Sequence, residues 1–287
     1  MKSKISAYFQ LTKPTIMLLV VITGATALVM EGSLLRDPAG FFLVLIALYL
    51  TGGAANALNQ YFERDIDAKM TRTSGRRPLP RNKIPSKNAL IFSIVIAVTG
   101  ILIFGIFFNW FSAALSLFTI LFYSLFYTLL LKPNTPQNIV IGGAAGAMAP
   151  VGAWVAATGS MAIDPWILFL IIFFWTPPHF WALALVYKDD YRVAELPMMP
   201  VVKGDTETFR WIVMYSWVLL AVSLTLYFSK AAGLLYAIVA IVLGVLFIKK
   251  SINAKRSRSE SLVKGLFGYS IVYLFGLFLA IIVDGLI

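Results

Sequence analysis

Asn59, Glu63 and Asp67 stand four residues apart in the run Asn59-Gln60-Tyr61-Phe62-Glu63-Arg64-Asp65-Ile66-Asp67. At about 3.6 residues per turn, the three climb one face of a helix. Three oxygen-bearing groups on one face are poor neighbours as bare groups. A hard divalent cation, which takes carboxylate and amide oxygens, reconciles them. Lys69, Arg72, Arg76 and Arg77 follow, with no acid among them. Arginine makes bidentate contacts to phosphate and lysine adds a point charge. Acids followed by bases at the end of an apolar run predict a site for a diphosphate bridged by Mg2+. A solvated basic loop at a membrane surface explains the arginines alone equally well. It does not explain the acids, because an ionisable residue within a span costs roughly 2.5–3.5 kcal/mol.

The elements that must position these residues are membrane helices. The chain has 287 residues, is 60% hydrophobic and only 13% charged, a composition of integral membrane proteins rather than of soluble two-domain ones. Apolar runs of about 20 residues, enough to span, fall at 14–31, 40–62, 88–108, 111–131, 138–158, 164–187, 211–229, 232–248 and 267–286. They predict an all-α, polytopic membrane protein: a bundle of nine transmembrane helices forming a single domain over 1–287. Two polar loops, 63–87 and 188–210, are long. A third, basic connection over 249–264 reads as an anchor.

Of the 24 Lys and Arg, all but Arg36 and Lys230 lie at the N-terminus, in the loops after the second, fourth, sixth and eighth runs, or at the helix ends flanking them. The positive-inside bias then places the N-terminus and both long loops in the cytoplasm and the C-terminus outside. The net charge of +11 is therefore a topology signal. It favours contact with an anionic lipid bilayer and gives no reason to expect nucleic acid. The absence of cysteine excludes disulfides, thiolate metal sites and covalent c-type haem attachment. The first apolar run lacks a small-residue cleavage site and is too long for a signal-peptide core.

The second long loop repeats the plan of the first, with Asp189 and Asp190 ahead of Arg192, and makes Asp190 a candidate for the same cavity. Lys132 is the only charge in the loop after the fourth run. Gly142 and Gly146 form a small-xxx-small pair suited to close helix packing. Residues 1–13 form a short basic, amphipathic lead; Lys13, at its end, either reaches the site or snorkels to lipid headgroups. The sixth run holds Trp175-Thr176-Pro177-Pro178-His179-Phe180-Trp181, with the only histidine of the chain. Two prolines break the backbone ladder of a span. His179 then reads in two ways: as a structural group bonded to a freed carbonyl, or as a ligand or proton carrier for a bound aromatic substrate. Imidazole is an axial ligand of haem iron.

These motifs resemble a known family. Asn59-x3-Glu63-x3-Asp67, followed by Arg72-Thr73 and Arg77-Pro78-Leu79, is similar to the first motif of the UbiA superfamily of intramembrane prenyltransferases. Three further stretches resemble its haem-farnesylating branch, the protohaem IX farnesyltransferases. They are Pro136-Gln137-Asn138-Ile139-Val140-Ile141-Gly142-Gly143, Trp175-Thr176-Pro177-Pro178-His179-Phe180-Trp181-Ala182-Leu183-Ala184, and Asp190-Tyr191-x2-Ala194-x2-Pro197-Met198-x-Pro200. The resemblance covers essentially the whole chain. It departs at Glu63, where most relatives carry Asp, and at Arg76-Arg77, which lies one residue further from Arg72 than usual and leaves open which arginine meets the diphosphate.

The resemblance implies a UbiA-like fold, Mg2+ as cofactor, farnesyl diphosphate and haem B as substrates, and haem O and pyrophosphate as products. It implies a metal and catalytic group of Asn59, Glu63, Asp67 and Asp190. Lys69, Arg72, Arg76, Arg77 and Lys132 would meet the diphosphate, and His179, Tyr127, Trp175, Phe180 and Trp181 the haem and the prenyl chain. A downstream haem A synthase or terminal oxidase is the implied partner. Prenylation of a quinone precursor or another aromatic acceptor is the alternative within the superfamily. A membrane transporter of haem or lipid is the alternative of another class. The acids with trailing arginines speak against it, because a transporter has no pyrophosphate to expel.

Overall fold

The computed structural model describes residues 2–286; Met1 of the predicted lead and Ile287 lie outside them. Among the described residues there is no strand, and nine helices are long and apolar enough to cross a membrane. In chain order the elements are α1 (Lys2–Leu11), α2 (Pro14–Glu31), α3 (Pro38–Phe62), α4 (Arg64–Lys69), α5 (Thr71–Ser74), α6 (Ser86–Phe107) and α7 (Trp110–Asn134). They continue as α8 (Asn138–Thr158), α9 (Asp164–Val186), α10 (Lys188–Val193), α11 (Met199–Val202), α12 (Gly204–Phe228), α13 (Leu234–Ser257) and α14 (Glu260–Leu286). α3 lies along α6, α9 packs on α8, α12 and α14, and α14 returns to α2, so the first and last spans close the bundle.

The helix starts follow local chemistry. Asp37 caps α3, its carboxylate accepting from Gly40 N–H at 3.1 Å, and Pro38 fills the first turn, where no donor is needed. Asn109 caps α7 in the same way, accepting from Ser112 N–H at 2.8 Å. This makes the very short turn at Phe108-Asn109-Trp110 a real boundary.

Four expectations change. The basic tract 249–264 is almost wholly helical: α13 runs to Ser257, α14 begins at Glu260, and only Arg258 and Ser259 lie between them. Lysines and arginines past an apolar stretch can keep their heads in the interface while the helix continues; Arg258, in the left-handed conformation at φ 56°, ends it. Likewise α12 begins at Gly204, and the two long loops carry the short helices α4, α5, α10 and α11.

The prolines at 177 and 178 do not break α9, which is continuous from Asp164 to Val186. Gly142 and Gly146 do not act as a pair. A side chain at Gly142 would strike the Tyr127 ring and one at Gly143 would press on Thr176, whereas Gly146 faces open space. The close approach is therefore of α8 to Tyr127 on one side and to α9 on the other.

The fourth span has a feature no pattern announced. From Phe122 to Leu131 its backbone widens to a π-helix, a geometry common where chains serve a site. Thr128 donates its hydroxyl to the Tyr123 carbonyl, five residues back, at 2.8 Å. Tyr127 and Thr128 are buried.

Candidate active site

α3 ends at Phe62, and Glu63 joins it to α4. The ladder nonetheless carries through: Glu63 N–H donates to the Asn59 carbonyl at 2.9 Å and Asp67 N–H to the Glu63 carbonyl at 2.8 Å. The predicted face therefore survives the junction. Asn59, Glu63 and Asp67 all point inward, each 2% exposed.

Carboxylates taken out of water require charged or hydrogen-bonding partners, and three separate parts of the chain supply them. Lys132, at the end of the π-helical stretch, bonds Glu63 Oε1 at 2.5 Å. Arg77 pairs with Asp67 and stands 3.6 Å from Glu63 Oε2. Lys13 donates to Asn59 Oδ1 at 2.8 Å, and the Asn59 amide donates to Thr128 Oγ1 at 3.1 Å.

Lys13 is seated by two buried amides of α3. Gln60 donates to the Leu11 carbonyl at 2.9 Å and Asn56 to the Thr12 carbonyl at 3.3 Å. They hold the turn in which Lys13 takes a left-handed φ of 54°. Burial and the nearby Arg77 draw the Lys13 ammonium down to about 7. Burial pushes the Glu63 carboxyl up, but Lys132, Arg77 and Lys13 outweigh it and hold the group below the usual range. Burial, together with the neighbouring Glu63 charge, raises the Asp67 carboxyl.

The second loop meets the first through Asp190, whose carboxylate reaches the start of α5. One Asp190 oxygen accepts from Thr71 Oγ1 at 2.5 Å and the other from Arg72 N–H at 2.9 Å. Each oxygen thus accepts one bond from the start of α5, and these bonds hold the Asp190 carboxyl below its usual range against the effect of burial. The Arg72 guanidinium lies over the rings of Tyr187 and Tyr191, at 5.6 and 5.8 Å from their centroids. Its Nε is buried with no protein partner among the described residues. Lys69 and Arg76 are exposed and are not brought to the acids. Of the two adjacent arginines, Arg77 faces the acids.

His179 is buried in an aromatic stack. The Trp175 ring lies 4.3 Å away at 20°, and the Phe267 ring of α14 lies 4.6 Å away at 27°. Its Nδ1 is 2.6 Å from Ser270 Oγ, and Trp175 Nε1 donates to the Ser270 carbonyl at 2.7 Å. His179 therefore bonds the neighbouring helix and not a carbonyl freed by Pro177 or Pro178. Phe180 meets the imidazole edge-on at 5.0 Å. Trp181 turns away toward α12, edge-on to Tyr215 at 5.3 Å, and belongs to the packing core rather than to the His179 cradle. Tyr127 stacks on Tyr123 at 5.2 Å, close to Thr128 and the acid group.

The sequence profile of the UbiA prenyltransferase family matches residues 18–282. The chain belongs to the UbiA prenyltransferase family. Within it, a protoheme IX farnesyltransferase of Rhodopseudomonas palustris (strain ATCC BAA-98 / CGA009) is 45% identical over 98% of this chain and 90% of its own length. The corresponding protein of Rippkaea orientalis is 43% identical over 98% of this chain and 88% of its own. The UbiA fold is also that of solved structures. A digeranylgeranylglyceryl phosphate synthase superposes with a TM-score of 0.80 at 20% identity, covering 99% of both chains. A UbiA homolog from Archaeoglobus fulgidus bound to DMAPP and Mg2+ gives 0.64 at 15% identity, over 96% of this chain and 99% of that one.

The donor set of this UbiA prenyltransferase consists of oxygens, each resting on a cation: Asn59 on Lys13, Glu63 on Lys132 and Asp67 on Arg77. Among the described residues, no three His, Cys, Asp or Glu side chains gather as a closed metal cage. The site offers two carboxylates and an amide oxygen, and Mg2+ is held by one or two carboxylates plus substrate phosphates. Sequence reasoning missed Thr128, Ser270, Phe267 and the Tyr187–Tyr191 cradle. Asn56 and Gln60 did carry a signal, as two amides spaced i, i+4 inside an apolar run.

Proposed function

We propose that this chain transfers the farnesyl group of farnesyl diphosphate to a vinyl group of haem B, giving haem O and pyrophosphate. The observation that carries the proposal is the likeness, over nearly the whole chain, to proteins named protoheme IX farnesyltransferase. The geometry supplies matching parts. Glu63 and Asp67, with Asn59 in support, would hold Mg2+, which when bound supplies charge neutralisation to the diphosphate. The Mg2+ and DMAPP of the Archaeoglobus fulgidus homolog support that choice of ion.

Lys132 and Arg77 rest on the acids and are within reach of a diphosphate that arrives beside them. As the allylic C–O bond ionises, negative charge grows on the leaving group, and preorganised cations at that point lower the barrier. Arg72 has a free Nε–H and a fixed aromatic seat, so it adds a third cation. Tyr127 and the ring stack around His179 would line the route to the acceptor, since aromatic faces attract an allylic cation. The vinyl carbon forms the new C–C bond, and water then traps the porphyrin-stabilised cation with loss of a proton, leaving a hydroxyethylfarnesyl side chain. We place both acid-bearing loops on the cytoplasmic side, following the distribution of Lys and Arg.

The test is pyrophosphate release by purified protein given farnesyl diphosphate and Mg2+. Release that depends on haem B supports the assignment. Release with a phenolic quinone precursor in its place moves the chain to another branch. Movement of haem across vesicles without pyrophosphate makes it a transporter.

A further inference from the structure

His179 and Ser270 come from α9 and α14, 91 positions apart, and their Nδ1 and Oγ atoms meet at 2.6 Å. Ser270 has a second close partner, the Phe267 carbonyl of its own helix, also at 2.6 Å from Oγ. A serine hydroxyl has one proton and a carbonyl has none. The hydroxyl proton must therefore go to Phe267, since otherwise two lone pairs would face each other at that distance. The proton between Ser270 and His179 is then the imidazole's own. Nδ1 is the protonated nitrogen, donating to Oγ, and Nε2 carries the lone pair.

The ring cannot easily turn to undo this. Trp175 and Phe267 cover its two faces, and Trp175 is itself pinned to the Ser270 carbonyl. Phe267 and Ser270 are three residues apart and share one face of α14. One stretch of α14 thus supplies a wall, an acceptor for Nδ1–H and an anchor for the opposite wall. Nδ1 is the one ring nitrogen of His179 that takes part in a hydrogen bond among the described residues. A histidine whose Nδ1–H is held by an oxygen while Nε2 stays basic is the arrangement found at metal-ligating imidazoles.

We infer that Ser270 is a positioning residue that fixes His179 in the Nδ1–H tautomer, so that Nε2 is presented as an axial ligand to the iron of the haem substrate. The ligand half of this inference rests on haem B being the acceptor. The tautomer half does not.

The single histidine makes the test direct. Protein carrying a histidine-free affinity tag and labelled with 15N-histidine shows one imidazole, whose two nitrogen signals report which of them holds the proton. Zinc protoporphyrin IX, which takes one axial ligand and is diamagnetic, serves as the probe. Wild type should show protonated Nδ1 and bare Nε2, and the probe should shift Nε2. Ser270→Val should lose the tautomer preference and bind the probe about 10- to 100-fold more weakly, the range for lost support of a metal-bound histidine. Ser270→Thr, with the shape of Val and the hydroxyl of Ser, should restore both. If neither β-branched variant inserts, Ser270→Ala against wild type makes the same comparison by removing one oxygen. Protonated Nε2 in the wild type, or a tautomer unchanged in Ser270→Ala, overturns the inference. The expected tautomer with no probe-induced shift of Nε2 supports the positioning role of Ser270 and overturns haem as the ligand.

Discussion

Lys132 Nζ stands 2.5 Å from Glu63 Oε1, although 69 positions separate the two residues. The pair lies inside the bundle, with the Glu63 side chain only 3% exposed. Neither charge could rest there alone, since removing one member of a buried pair costs about 3–5 kcal/mol. The cations proposed to receive pyrophosphate are thus held on the acids proposed to hold the metal, so that one cluster would serve both proposed tasks.

The acids come first. Glu63→Ala and Asp67→Ala should each lower turnover by ~100-fold or more, the scale on which a single preorganised charge acts, while the protein still inserts. Pyrophosphate release at matched membrane levels is the measurement. Near-normal activity in either variant removes the metal-site assignment.

The adjacent arginines should behave differently. Arg77 faces Asp67 and Glu63, whereas Arg76 is exposed. Arg77→Ala should cost ~100- to 1,000-fold in kcat, and Arg76→Ala should leave kcat close to wild type. Equal losses in the two variants would show that both arginines serve the diphosphate.

Asp190 bridges the two loops by accepting from Thr71 and Arg72. Asp190→Ala should therefore raise KM for farnesyl diphosphate by loosening α5 and Arg72, with the Mg2+ dependence of the rate unchanged. A Mg2+ titration that shifts to higher concentration in this variant would return Asp190 to the metal.

Topology is testable with reporters. A fusion after Ile287 should report an external C-terminus, and one at Arg258–Ser259, between α13 and α14, should report the cytoplasm. The reverse pattern would move the acid-bearing loops to the other face of the membrane.

The nine spans were legible because hydropathy reads the bilayer directly, and the acid face was legible because a period of four residues survives the junction at Glu63. What lay beyond local pattern stayed hidden. The choice of Arg77 over Arg76, the Lys132–Glu63 pair and the capping role of Asp190 are tertiary facts. Ser270 is one small polar residue in an apolar helix, with no spacing to mark it. The π-helical turn at Tyr127 leaves no periodic signature, and the tract at 249–264 read as a loop because lysines at an interface look alike in a loop and on a helix end. Trp181 shared a motif with His179 but faces another helix.

The most direct measurement is mass spectrometry of haems extracted from purified protein incubated with haem B, farnesyl diphosphate and Mg2+. The account predicts a new haem, heavier than haem B by one farnesyl group and one hydroxyl, formed together with pyrophosphate and absent with Asp67→Ala. Unmodified haem B after the incubation, with or without release of pyrophosphate, would contradict it.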